Sequence, residues 1–155
     1  MANTVYTKFM DAMASGTVNW ETAVLRALLE RSTTAYSVDP DHNFVSDFTT
    51  GGGVEISVAS YLRQTLANAV TTKVDASNHV ILDSDNPTWG ALETGQTVKA
   101  IILYVQTGGS DATPEDDILI AYFDTASNGV LPAVLGGGSF DVTVAANGWI
   151  RMYQP

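Results

Sequence analysis

A chain of 155 residues, 45% hydrophobic and with a net charge of −10, suits one domain over residues 1–155 with one buried core. Having no cysteine, it cannot form disulfides, thiolate nucleophiles or cysteine-ligated zinc, and none of its apolar runs approaches the ~18 residues that span a bilayer. Lys and Arg are absent between Ala100 and Ile150, where Asp111, Glu115, Asp116, Asp117, Asp124 and Asp141 fall, so that stretch offers no cation to phosphate, and neither nucleic acid nor membrane is expected as a partner.

The N-terminus, MANTVYTKFMDAM, lacks the charged and apolar regions of a signal peptide, so secretion by that route is not expected. Val5, Phe9, Met10 and Met13 share one helical face and Gly16 is placed to end it, which predicts a short N-terminal helix. Residues 20–31 carry two readings. Val24, Leu25, Leu28 and Leu29 make a helical stripe of strong helix formers. As a strand, Ala23, Leu25, Ala27 and Leu29 alternate with Val24, Arg26, Leu28 and Glu30. Asp39, Pro40, Asp41, His42 and Asn43 then form a polar loop whose residue types suit a turn bonding its own backbone. Carboxylates and an imidazole together are also plausible metal ligands, but the spacing matches no specific site.

Past Gly51, Gly52 and Gly53 the pattern turns to β. Val54, Ile56 and Val58 alternate with polar residues, as in a half-buried strand. Arg63–Val74 and His79–Leu82 flank Asp75–Asn78, which predicts a hairpin with a four-residue loop. Val98–Val105 and Ile118–Phe123 read as buried strands. Phe140–Val144 reads as another, and Asn147-Gly148 supplies a tight turn into Trp149–Tyr153, both residues tolerating positive φ. About seven short strands imply a mainly β fold, a β-sandwich or jelly-roll-like barrel with a short N-terminal helix.

Several motifs could carry chemistry, and each meets a plainer reading. Asp83, Ser84, Asp85 and Asn86 begin like a calcium loop. Counted from Asp83, the sixth and twelfth positions hold Thr88 and Thr94 where an EF-hand needs Gly and Glu, so a turn is expected. Asp111, Glu115, Asp116 and Asp117 could supply paired carboxylates for glycoside hydrolysis, but beside Gly108, Gly109 and Pro114 they read as a solvated loop. His42 and His79 read as surface histidines, and no Gly-x-Ser-x-Gly elbow accompanies them. Neither glycine triplet, 51–53 or 136–138, is followed by the Lys and Ser or Thr of a P-loop. Trp20, Trp89, Tyr61, Tyr104 and Tyr122 are expected mostly in the core, with Trp149 or Tyr153 left to anchor a partner. No catalytic residue, cofactor or metal is expected.

Seven patterns in fixed order carry a resemblance: Trp20 with AVLRALL, DPDHNF, SYLRQTL, ILDSDNPTW, AIILY, DDILIAYFD and FDVTVAANGWIRM. Together they resemble a family of small β-rich virion structural proteins of tailed bacteriophages, over about residues 17–152. The resemblance favours the strand reading of residues 20–31. It implies a non-enzymatic component of a virus particle, made in the bacterial cytoplasm, with no catalytic or ligand-binding residues to carry over. The expected role is a capsid decoration (cement) protein that binds the major capsid protein and copies of itself, as a trimer at local threefold positions. The alternatives are a neck or tail adaptor and, further off, a receptor- or glycan-binding module. Candidate partner contacts are Lys8, Asp39, Asp41, His42, Asn43, Trp149 and Tyr153.

Overall fold

The computed structural model describes residues 3–125 and 131–153. In chain order the elements are β1 (Thr4–Val5), α1 (Thr7–Ala14), β2 (Leu25–Arg31), α2 (Val45–Thr50), β3 (Gln64–Thr65), β4 (Val70–Val74), β5 (His79–Asp83) and β6 (Thr88–Trp89). There follow β7 (Thr97–Val105), β8 (Ile118–Phe123), β9 (Ala133–Val134), β10 (Phe140–Asp141) and β11 (Ile150–Tyr153). The fold is mainly β and antiparallel. The principal sheet runs β1-β8-β7-β2-β3, with β9 also on β7, and two smaller sheets run β11-β5-β4 and β10-β6.

Both faces of the principal sheet are covered, and side-chain alternation along its strands shows why. Leu25, Ala27 and Leu29 of β2, with Ile101, Leu103 and Val105 of β7, join one core. That core takes in Phe9 and Ala12 of α1, Trp20, Leu82 and Ile150 of the three-stranded sheet, and Trp89 and Phe140 of the two-stranded one. Leu28, Ile102 and Tyr104 point the other way, to Tyr36, Val45 and Phe48. The result is a sandwich-like layering in which a period of two feeds two cores at once. This explains why residues 25–31 are a strand although their propensities favour helix. A helix would bury one stripe, whereas a central strand buries Leu28 and Leu29 on opposite sides, and the β2–β7 ladder extends from Leu25 to Arg31.

The N-terminal helix forms as expected and Gly16 (φ 74°) follows its end, with nothing near the position a Cβ would take. Conformation, not space, calls for glycine there. The expected core face of α1 is narrower than the pattern implies, however: Phe9 is buried, but Met10 is 50% exposed. The hairpin β4–β5 has the expected loop, a 3₁₀ turn at Asp75–Ser77 closed by Asn78 in the left-handed region (φ 49°). Its first arm starts only at Val70, because Gln64 and Thr65 pair instead with β2.

Two expected strands are corrected. Val54–Val58 contributes one isolated bridge, Glu55 to Glu30, beside the point where the β2–β7 register shifts. Val54 is exposed there while Glu55 turns inward to Arg63. Phe140–Val144 keeps only Phe140 and Asp141 in a ladder with β6. Beyond it Val142 N–H bonds the Pro87 carbonyl and Val144 N–H bonds Asn86 Oδ1, since Pro87 has no N–H to continue a ladder. The turn at Asn147-Gly148 is present, but only Gly148 has positive φ (67°). It delivers β11 to β5 rather than back to β10.

Candidate attachment surface

The DPDHNF loop is a structured turn. Asp39 accepts the Asp41 N–H at its side chain (3.0 Å) and the His42 N–H at its carbonyl (3.0 Å), the self-bonding expected of such residues. Thr7 N–H donates to the Pro40 carbonyl at 2.9 Å, pinning the loop to the first turn of α1. Asp47 Oδ2 accepts the N–H groups of Asn43 and Phe44 and so caps α2. His42 is half-buried, its Nδ1 sharing a hydrogen bond with the Tyr36 hydroxyl (3.0 Å), which in turn shares one with the Tyr6 hydroxyl (3.0 Å). Asp39, Asp41 and Asn43 stay exposed.

Beneath that loop lies a buried charge. Glu30 is fully buried, yet both of its oxygens are occupied. Lys99 Nζ (3.1 Å) and Thr34 Oγ1 meet Oε1, and the Tyr122 hydroxyl donates to Oε2 at 2.5 Å. Lys99 also donates to the Tyr36 carbonyl. Burial, then the neighbouring hydroxyl and carboxylate groups, push the Tyr6 and Tyr122 hydroxyls well above the ordinary tyrosine range. These phenols stay protonated as donors and structural bonds.

The acidic loop after β7 differs from the solvated run expected. Glu115 and Asp116 are exposed, but Asp111 reaches back to the sheet. Its carboxylate pairs with Arg26 (3.0 Å) and accepts from the Tyr104 hydroxyl (2.5 Å) and Gln106 Nε2 (2.7 Å). Arg63 lies 3.5 Å from it while gripping both oxygens of Glu55 through Nε at 3.1 Å. Asp117 is 0% exposed: Oδ1 accepts the Thr107 N–H at 3.0 Å, and Oδ2 has no hydrogen-bond partner. Desolvation, opposed by that backbone bond, raises its pKa. Asp111 and Asp117 thus fasten a loop to the sheet edge. The sequence hides the role of Asp111 because its cationic partners Arg26 and Arg63 come from distant segments.

The calcium-like motif is a strapped turn. Trp20 Nε1 donates to the Asp83 carbonyl (2.8 Å), Asn68 to Asp85 Oδ2 (2.5 Å) and Trp149 Nε1 to Ser84 Oγ (2.8 Å). Among the described residues no group of three or more His, Asp or Glu could hold a metal, and no helix is long and apolar enough to cross a membrane. Trp149 is half-buried, its ring 5.5 Å from that of Phe123 on β8. His79, expected at the surface, is buried with its ring 5.3 Å from that of Tyr153.

Tyr153 does project: it is 62% exposed. It lies at one end of a groove of about 530 Å³ between α1 and β11. Phe9, Met10 and Met13 form one wall, and Arg151, Met152 and Tyr153 the other. Met152, at 38% exposure, and Met10 present flexible thioethers that adapt to irregular partners. The groove therefore joins the two chain ends singled out from sequence, the N-terminal helix and the C-terminal aromatic. Lys8 is half-buried on α1 and is not among the groove residues, and neither is any residue of the 39–43 loop. Met10, read from sequence as part of the helix's apolar face, and Met152 were not seen as surface residues because methionine at helical or strand spacing reads as core.

No family model, curated protein or solved structure matches this chain.

Proposed function

We propose that this chain is a non-enzymatic structural protein of a tailed-phage particle, a capsid decoration protein that binds across major capsid subunits and stabilises the head. The observation that carries the attachment reading is the α1–β11 groove, an apolar concavity with exposed Met10, Met152 and Tyr153 at its margins. Large exposed apolar side chains gathered in one concavity mark an interaction site far better than the same residues scattered. The placement in a virus rests on the order of the seven sequence patterns from Trp20 to Met152.

The mechanism is adhesive. Apolar surface at the groove is buried against neighbouring subunits, and repetition on a symmetric shell multiplies a modest contact. With Asp111 and Asp117 engaged internally, Glu115, Asp116 and Asp141 remain exposed to face solvent or a basic capsid patch. The deciding experiment is the copy number of the chain in purified particles by quantitative mass spectrometry. On the order of hundreds of copies fits decoration of a symmetric shell, whereas about a dozen or fewer moves the chain to the neck or tail. A glycan array and a hydrolase assay on the purified protein should both be blank.

A further inference from the structure

The groove has a feature that selects the shape of its occupant. Its β wall is made by all four residues of β11, Ile150 through Tyr153, together. Successive side chains of a strand point to opposite faces, so a groove touching all four runs along the edge of the strand. That edge is free. In the order β11-β5-β4, β5 covers one side of β11, and among the described residues no strand pairs the other. Across from it stands a helix wall, Phe9, Met10 and Met13, that offers side chains but no backbone to pair. An occupant using this site fully must supply main-chain bonds on one side and apolar side chains on the other.

The charge of the groove narrows the choice further. Among the described residues Arg151 is its one charged lining residue, in a chain of net charge −10. Among the described residues it has no carboxylate in ion-pair range. Its Nη1 donates to the Tyr153 hydroxyl at 3.2 Å and its Nε has no partner. We infer that the α1–β11 groove receives an extended segment of a partner protein by strand addition to β11, with apolar residues toward Met10 and Met13 and a carboxylate toward Arg151. Strand addition is an established mode of peptide capture, in which backbone bonds give affinity and alternate side chains give specificity. A helical occupant would leave the β11 edge unpaired, and a second copy pairing β11 to β11 about a twofold axis would bring its own arginine toward Arg151. The inference rests on the attachment reading of the groove but not on its place in a virus.

The probe is a blocked peptide of alternating valine and glutamate, compared with the same peptide carrying lysine for glutamate, on the full-length protein. The glutamate peptide should slow amide exchange at Ile150–Tyr153 and bind at least about threefold tighter than the lysine peptide, the size of a rim ion pair. Arg151→Gln, with an unchanged circular dichroism spectrum, should remove that preference and retain the protection. Equal affinity for the two peptides, or binding that leaves the β11 amides unprotected, overturns the inference. So does absence of binding at about millimolar peptide, or concentration-dependent self-association protecting the same amides without peptide. A failure here leaves the copy-number test untouched, and a low copy number leaves strand addition standing.

Discussion

Individual residues show how far burial decides the chemistry of this chain. Glu30 is fully buried, and its oxygens are held by Lys99, Thr34 and Tyr122. Removing one partner of such a pair leaves the others desolvated and uncompensated. Glu30→Ala should therefore lower unfolding stability by about 3 kcal/mol, read as a shift in urea midpoint at unchanged slope. Glu30→Gln, which keeps an acceptor for Tyr122, should lose less. Asp117 makes the opposite case. Its pKa lies above the ordinary 3.8 because of desolvation, so the folded chain holds that proton more tightly than the unfolded one. Its contribution is complete below the unfolded value and is lost as pH rises through the raised one. Asp117→Asn removes the titration, so the variant should gain stability relative to the parent between acid and neutral pH. A difference that stays flat with pH would contradict the buried, half-satisfied carboxyl. Neither role was legible in the sequence, where Glu30 reads as one face of an alternating strand and Asp117 as part of a solvated run.

Elements whose own pattern decides their fate were legible. The strands β7, nearly continuous in apolar residues but for Thr97 and Lys99, and β8 are long enough for buried strands, and the β4–β5 hairpin is marked by its polar loop. α1 is bounded by Gly16. The others depended on partners far along the chain. β2 is a strand because β7 and two cores flank it, against its helical propensity. Val54–Val58 alternates correctly but meets β2 only at Glu55. β10 stops where its neighbour turns to Pro87. That no strand among the described residues pairs the outer edge of β11 was hidden for the same reason, since sequence cannot say which strand lacks a neighbour. Gly148 governs that element: a Cβ there would lie 2.5 Å from Ile81 Cγ2 and 2.6 Å from the Leu82 carbonyl, at φ 67°. Gly148→Ala should cost about 1 kcal/mol or more and speed amide exchange in β11 and β5 while β2, β7 and β8 keep their protection. Uniform loss across all sheets would show instead that β11 and β5 open only together with the whole molecule.

At the scale of the whole molecule, the charge balance is strongly acidic. Among the described residues Arg26, Arg63, Lys73 and Lys99, of the seven basic residues, are paired with carboxylates. The exposed acids Glu115, Asp116 and Asp141 leave an acidic exterior, on which the groove gathers Met10, Met152 and Tyr153 beside Arg151 while Val24, Leu62 and Val134 are exposed elsewhere. If acidic exterior surface meets basic capsid patches, detachment from particles should increase with salt, since exposed charges are screened over about 10 Å at 0.1 M. Attachment unchanged at high salt would leave burial in the groove as the sole adhesive force. The resemblance to phage structural proteins gives this surface its proposed setting, and the groove supplies the place where contact is made. The most direct test of that reading is a cryo-EM map of the intact particle. The proposed role requires copies across the head lattice, each with the groove between α1 and β11 filled by a neighbouring subunit; a head lattice without the chain, or copies whose groove faces solvent, would contradict it.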